Sequence, residues 1–195
     1  MSILLVGDKS RFAIESYLAQ PFERLSQRAL GYFIVHICGR VYGVQSPEAT
    51  LLACSFDAVT RRLTRRGTHI APFATGESAQ ELVHAVQTAL YEDTRPDVRF
   101  WGMSAEGLSD ELTAQEIVLA PDGDAAFDDG SHILQFDQGD QVRLVAFQNS
   151  SDAAWNGDSL TDLTMDAAEF YRVLESWLHQ FELAWHIALA TRTAN

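Results

Sequence analysis

Apolar residues crowd two neighbouring runs, 31–38 and 41–45, on either side of Gly39-Arg40. Nearly every position in both runs is apolar, where a half-buried strand would alternate. That density predicts a β-hairpin lying centrally in a sheet and covered on both faces. Glycine at the first turn position predicts a type II′ connection. The earlier run at 12–18 (FAIESYL) supplies a partner strand.

The period then lengthens. Ser55 reads as an N-cap, Phe56, Val59 and Leu63 fall on one helical stripe, and Gly67 stands where a C′ glycine belongs. Ser78 and Glu81 form a capping box ahead of Leu82, Val86, Ala89 and Leu90, which share a face. A short strand near 98–103 and a short helix near 106–113 follow. Three apolar runs at 116–120, 131–137 and 141–147 then predict strands, the last two closed into a hairpin by residues 137–140. Residues 149–165 are polar and glycine-bearing, so they predict a loop. From about Asp166 to Leu189, Phe170, Leu174, Trp177, Phe181, Ala184 and Ala188 recur every three or four residues, which predicts a long amphipathic C-terminal helix. Strands and helices do not alternate regularly. The expected class is α+β, an antiparallel sheet built from hairpins and packed by helices.

A chain of 195 residues is expected to form one domain over 1–195. A domain of this size buries roughly 70% of its unfolded surface and needs no covalent staples. The two cysteines, Cys38 and Cys54, sit inside apolar runs and predict small buried hydrophobes without a disulfide framework. The first apolar run is five residues long with no basic residue before it, and no 18-residue apolar stretch occurs. A soluble cytoplasmic protein is expected.

Charge changes the picture. Residues 1–100 carry eleven basic and ten acidic side chains, whereas residues 101–195 carry three basic and seventeen acidic, a net of −14. Such a half repels nucleic acid and anionic membranes and draws basic proteins toward it. Its densest part, Ala120 to Asp140, holds Asp122, Asp124, Asp128, Asp129, Asp137 and Asp140 and no Lys or Arg. An EF-hand frame starting at Asp122 fails, because Ala126, Phe127 and Ile133 occupy ligand, glycine and glutamate positions. Pro121-Asp122-Gly123 and Asp129-Gly130 are turn signals, so local backbone capping accounts for much of the aspartate content. Another divalent-metal site, serving a metal-dependent hydrolase that uses the Asp122–Asp129 carboxylates, stays open at this point.

Other chemistry is thinner. Gly157-Asp158-Ser159-Leu160 matches the spelling of a serine-esterase motif, but it lies late in a polar loop and no Asp-x-x-His follows to supply the base. The histidines at 36, 69, 84, 132, 179 and 186 have no zinc spacing. His36 reads as a hydrogen-bonded core residue, and His69 as the most site-like. Arg61, Arg62, Arg65 and Arg66 read as the solvent side and last turn of a helix, pairing with the acidic half of the chain. No cofactor, no catalytic residue and no metal site is predicted.

The segments GDKSRFAIES, RLSQRALGYFIVHICGRVYGV, RRGTHIAPFA, APDGDAAFDDGSHILQFD and QVRLVAF, in this order, resemble the immunity protein 42 family of bacterial polymorphic toxin systems. The likeness spans roughly residues 4–187, apart from 150–160. It implies an antitoxin of interbacterial competition, without catalysis, whose partner is a cognate toxin domain. The acidic half adds the expectation that this partner is basic. The partner-binding residues expected are Asp122, Asp124, Asp128, Asp129, Asp137 and Asp140, with Trp155 as an aromatic anchor. A scaffold protein unrelated to any toxin is the remaining alternative.

Overall fold

The computed structural model describes residues 2–92, 98–120, 125–149 and 157–193. Strands β1 (Ser2–Gly7), β2 (Phe12–Pro21), β3 (Ala29–Ile37) and β4 (Arg40–Tyr42) follow one another as an antiparallel meander, and β5 (Thr50–Leu51) pairs with the start of β3. β3 therefore has neighbours along both edges, and its apolar run is almost wholly buried, as its composition predicts. The turn differs by one residue. Ile37 pairs with Arg40, and Cys38 and Gly39 both take positive φ (51° and 80°). That is the type I′ pattern, whose twist matches the flanking strands, in place of type II′ at Gly39-Arg40. The turn leaves Cys38 exposed, as is Cys54, so neither thiol is the buried hydrophobe expected.

Helix α1 (Leu52–Thr64) starts earlier than its Ser55 signal. Leu51 is the N-cap without a side-chain bond, because β5 runs straight into the helix and burial of Leu52 and Ala53 anchors the first turn. Ser55 is thus internal and buried. Helix α2 (Ala79–Tyr91) does begin with the Ser78–Glu81 capping box. The hairpin of β6 (Arg99–Phe100) and β7 (Met103–Ser104) leads into α3 (Ala105–Ala114), where Ser104 caps by accepting from the Gly107 N–H. Residues 116–120 form one isolated bridge, Val118 to Leu134, and no strand. Glu116 takes φ 47° as the chain leaves α3, which interrupts the extended conformation that the apolar run suggested.

β8 (Ser131–Gln138) and β9 (Gln141–Gln148) form the expected hairpin, and β10 (Thr161–Asp166) adds to β9. The last strand falls within the predicted loop. Its signal is period two: Thr161 and Met165 are buried and Leu163 partly so, while Asp162, Thr164 and Asp166 are exposed. Polar flanks concealed it.

The β8–β9 hairpin separates two cores. Ile133, Val142, Leu144 and Ala146 face the inner side of β1–β3 and the helices α1 and α4 (Ala167–Thr193). Leu134, Phe136, Val145 and Phe147 alternate with them and face α2 and α3. Along α4, Phe170, Leu174, Trp177, Phe181 and Trp185 are 0–3% exposed. Trp177 sits edge-on to Phe33 (4.9 Å) and stacked on Phe181 (5.2 Å), and its Nε1–H donates to Ser16 Oγ at 3.0 Å. Among the described residues no helix is long and apolar enough to cross a membrane.

Trp177→Ala removes this ring and strands Ser16. It is expected to lower unfolding stability by about 3–5 kcal/mol, read as a shifted urea midpoint at unchanged slope.

Candidate functional site

The two ends of β8 carry the candidate aspartates, and they are not one cluster. Asp129 precedes the strand and Asp137 closes it, about 25 Å away at the rise of an extended chain. Asp122, Asp124 and Trp155 lie outside the described residues.

At the near end, Asp129 is fastened into the fold. Its Oδ1 accepts from the Ser131 N–H at 3.1 Å, a local turn bond of the kind its Asp-Gly sequence implies. Its Oδ2 accepts from the Gly43 N–H (3.2 Å) and from Gln148 Nε2 (3.1 Å). Tyr42 donates to Thr161 Oγ1 at 2.6 Å, and the Arg40 guanidinium donates to the Asp158 carbonyl. These bonds tie the β3–β4 turn region to the ends of β9 and β10. Asp129 and Asp158 are held on this seam as exposed residues, and Asp128, next to Asp129, is exposed as well. Ser159, the serine of the esterase-like tetrapeptide, is 7% exposed, and its hydroxyl joins both backbone groups of Gln148, accepting at 2.9 Å and donating at 3.2 Å.

At the far end, Asp137 turns inward. It is 7% exposed and accepts from the Tyr171 hydroxyl (2.9 Å), Gln135 Nε2 (3.1 Å) and the His69 N–H (3.1 Å). It cannot belong to an acidic surface, because the even spacing of β8 side chains sends residues 133, 135 and 137 to the α4-facing core. Burial, and then the charge of Asp137, push the Tyr171 hydroxyl far above its ordinary pKa, so it stays a donor. His69 is fully buried, with Nδ1 donating to the Gln115 carbonyl at 2.9 Å. Arg62, 6% exposed, donates to the Val118 carbonyl, and burial lowers its pKa to about 10. Arg62 therefore departs from the solvent-side reading of its cluster, whereas Arg61 and Arg65 pair with Glu116 of the acidic half at 3.4 and 3.0 Å. Arg62 was legible only as part of a basic run, and Tyr171, next to Phe170 but outside the helix stripe, carried no signal of its own.

Asp140 is exposed beside this network, and its carbonyl accepts from the Ala167 N–H at 2.8 Å. Asp166 Oδ1 accepts from the Glu169 N–H at 2.8 Å and so caps α4. With Arg66 and Tyr171 these residues line a cleft of about 200 Å³. Among the described residues no three His, Cys, Asp or Glu side chains converge to hold a metal ion. The site thus offers exposed carboxylates on a braced frame, which suits recognition of positive charge.

The sequence model of immunity protein 42 matches residues 1–180. Among solved structures, the chain is similar to the crystal structure of CdiI from Burkholderia dolosa AUO158, with 17% identity and a TM-score of 0.54. That match covers 91% of this chain and 99% of the other, and at this identity it speaks for the fold alone. No curated protein matches.

Two outcomes separate the structural from the exposed carboxylates. Asp137→Ala leaves the Tyr171 hydroxyl and the His69 N–H without an acceptor and takes one of two acceptors from Gln135 Nε2, and should cost about 3 kcal/mol, while Asp128→Lys should change stability by less than about 0.5 kcal/mol; urea unfolding reads both. Stability should also fall on acidification. Burial holds His36 and His69 below the ordinary 6.5, so the unfolded chain takes up their protons first and stability declines below pH 6.5 until the folded imidazoles titrate. Burial would raise Glu15, yet hydrogen bonds from Lys9, Tyr32 and His36 leave it below 4.5. Its contribution is complete above pH 4.5 and is lost as pH falls through the folded value. Melting temperature against pH should therefore show two successive declines.

Proposed function

The chain belongs to the immunity protein 42 family, and we propose that it protects a toxin-bearing bacterium by direct binding of one cognate toxin domain in the cytoplasm, without catalysis. It is an immunity protein of a bacterial competition system. The observation that carries the reading is the family match over residues 1–180, which covers nearly all of the described fold.

The toxin surface it receives is basic. Residues 101–195 have a net charge of −14, and the exposed aspartates at 128, 129, 140 and 158 lie on strand ends that the fold keeps rigid. A rigid charged surface raises the association rate and loses little conformational entropy when it docks. Neutralising a toxin is a race against its turnover, so a fast encounter is of direct use. Slow release needs buried anchors as well, and Trp155 with Asp122 and Asp124 complete the docking surface in this reading. Asp137 supports it from within. Of the carboxylates in the metal-dependent hydrolase reading, Asp122 and Asp124 lie outside the described residues, and among the described residues no three His, Cys, Asp or Glu side chains converge at Asp128 and Asp129.

The test is rescue. The toxin domain encoded beside this gene, expressed alone in a sensitive host, should stop growth, and co-expression should restore it. Toxicity without protection would sink the immunity reading. With rescue in hand, the double variant Asp128→Lys, Asp140→Lys should associate with toxin about tenfold more slowly at low salt, with a nearly unchanged dissociation rate. An association rate indifferent to both salt and these reversals would remove the acidic surface from the mechanism.

A further inference from the structure

The two edges of the five-stranded sheet are built differently. The β4 edge is three residues long and begins with Arg40, the short charged form that resists pairing with other chains. The β1 edge is six residues, Ser-Ile-Leu-Leu-Val-Gly, with no charge and no proline. Among the described residues no strand pairs with its outer side. Ile3 (63% exposed) and Leu5 (46%) stand opposite Tyr17 and Glu15 of β2, on the face turned away from α4. Leu4 and Val6 point the other way, into the core beside α4.

Helix α4 runs beneath β2 from Glu169, which pairs with Arg11, past Trp177 at Ser16, to Trp185 at the Phe22 carbonyl. Its side toward α1 carries Tyr171 and Phe181, which meet Arg66 and Phe56. A rotation of about 100° per residue puts Leu183 and Ile187, 55% and 59% exposed, on the outward side of α4, away from its buried stripe. The apolar surface at the edge is therefore that of Ile3 and Leu5, on the face away from α4.

We propose that this edge is a self-association surface, and that its occupant is the β1 strand of a second copy of this chain, paired antiparallel across a twofold axis. Charge permits that occupant. The acidic half would repel its own copy, but residues 1–100 carry eleven basic and ten acidic side chains. Near the two ends of the edge Arg11 pairs with Glu169 (3.1 Å) and Arg192 with Glu23 (3.9 Å), while Asp8, beside Gly7, is an exposed carboxylate bonded to Ser10. A basic toxin is drawn to the other half. Pairing about Leu4 brings Ile3 of one copy beside Leu5 of the other on the same face, and joins two five-stranded sheets into one of ten strands. The outward N–H and C=O groups of β1 then have partners, and Ile3 and Leu5 are covered isologously.

Sedimentation velocity of the full chain without toxin, over a concentration series, tests this. The wild type should approach twice 21.7 kDa. Ile3→Lys and Leu5→Lys should sediment as monomers with unchanged far-ultraviolet circular dichroism and intact toxin rescue. Val41→Lys, a 40%-exposed position on β4, should stay dimeric and so controls for a nonspecific charge effect. A 21.7 kDa species up to hundreds of micromolar overturns the proposal. So does a dimer that survives both β1 variants, or variants that lose toxin rescue while the wild type is monomeric, which would assign the edge to the toxin.

Discussion

The β8–β9 hairpin has no solvent-facing side, and most of the molecule is arranged to satisfy that. A two-stranded ribbon is marginal in water. Here β10 extends it to three strands, and alternate residues feed two cores, Ile133 and Leu144 on one face and Leu134 and Val145 on the other. Such a septum tolerates few polar side chains, yet it carries Gln135, Asp137 and Arg143, each 9% exposed or less. Each has been given partners from elsewhere in the chain. Tyr171 comes from α4, the His69 N–H from the segment after α1, and the carbonyls of Ala74 and Glu77 receive Arg143 from the segment before α2. Buried polar groups with several partners specify one arrangement strongly, since displacement of any partner leaves a costly orphan. The hairpin thus sets where the helices lie.

That arrangement explains how one run of aspartates serves two purposes. Asp137 is spent inside the septum as an acceptor. Asp129 binds the two sheets together through Gly43 and Gln148 while its position remains exposed, and Asp128 beside it faces solvent. Rigidity and charge at this seam come from the same residues. The electrical asymmetry of the chain follows the fold closely: the meander of β1–β4 is near neutrality, and the acidic charge belongs to the α3-to-α4 half. In the proposed docking of a basic toxin, this separation leaves one half of the chain to draw the partner while the other stays near neutrality.

Much of the fold was legible from residue pattern. The dense apolar run of β3 marked a strand with neighbours on both sides, the Ser78–Glu81 box marked the start of α2, and the Phe170-to-Phe181 stripe marked α4. These signals are local, because backbone sterics and a 2.0 or 3.6 residue period act over a few positions. The misses have two causes. Ser55 lost its capping role because β5 delivers Leu52 into the core first, and β10 became a strand because β9 had an edge to fill; in both, a partner distant in sequence outweighed a local preference. Residues 116–120 stayed out of a sheet because the backbone of Glu116 itself turns the chain.

By itself, the sequence determined the class of fold, the family likeness and the sign of the surface, since periodicity, long distinctive segments and charge count need no coordinates. It could not sort the aspartates. Asp128 and Asp137 are the same side chain in the same acidic run. Only the pleat of β8 and the positions of Tyr171, His69 and Gln135 make one a surface charge and the other an interior acceptor. Likewise, an uncharged strand of six residues becomes an open edge only once the order of strands is known. Burial and edge position depend on which segments meet across the whole chain, and that is decided by tertiary packing.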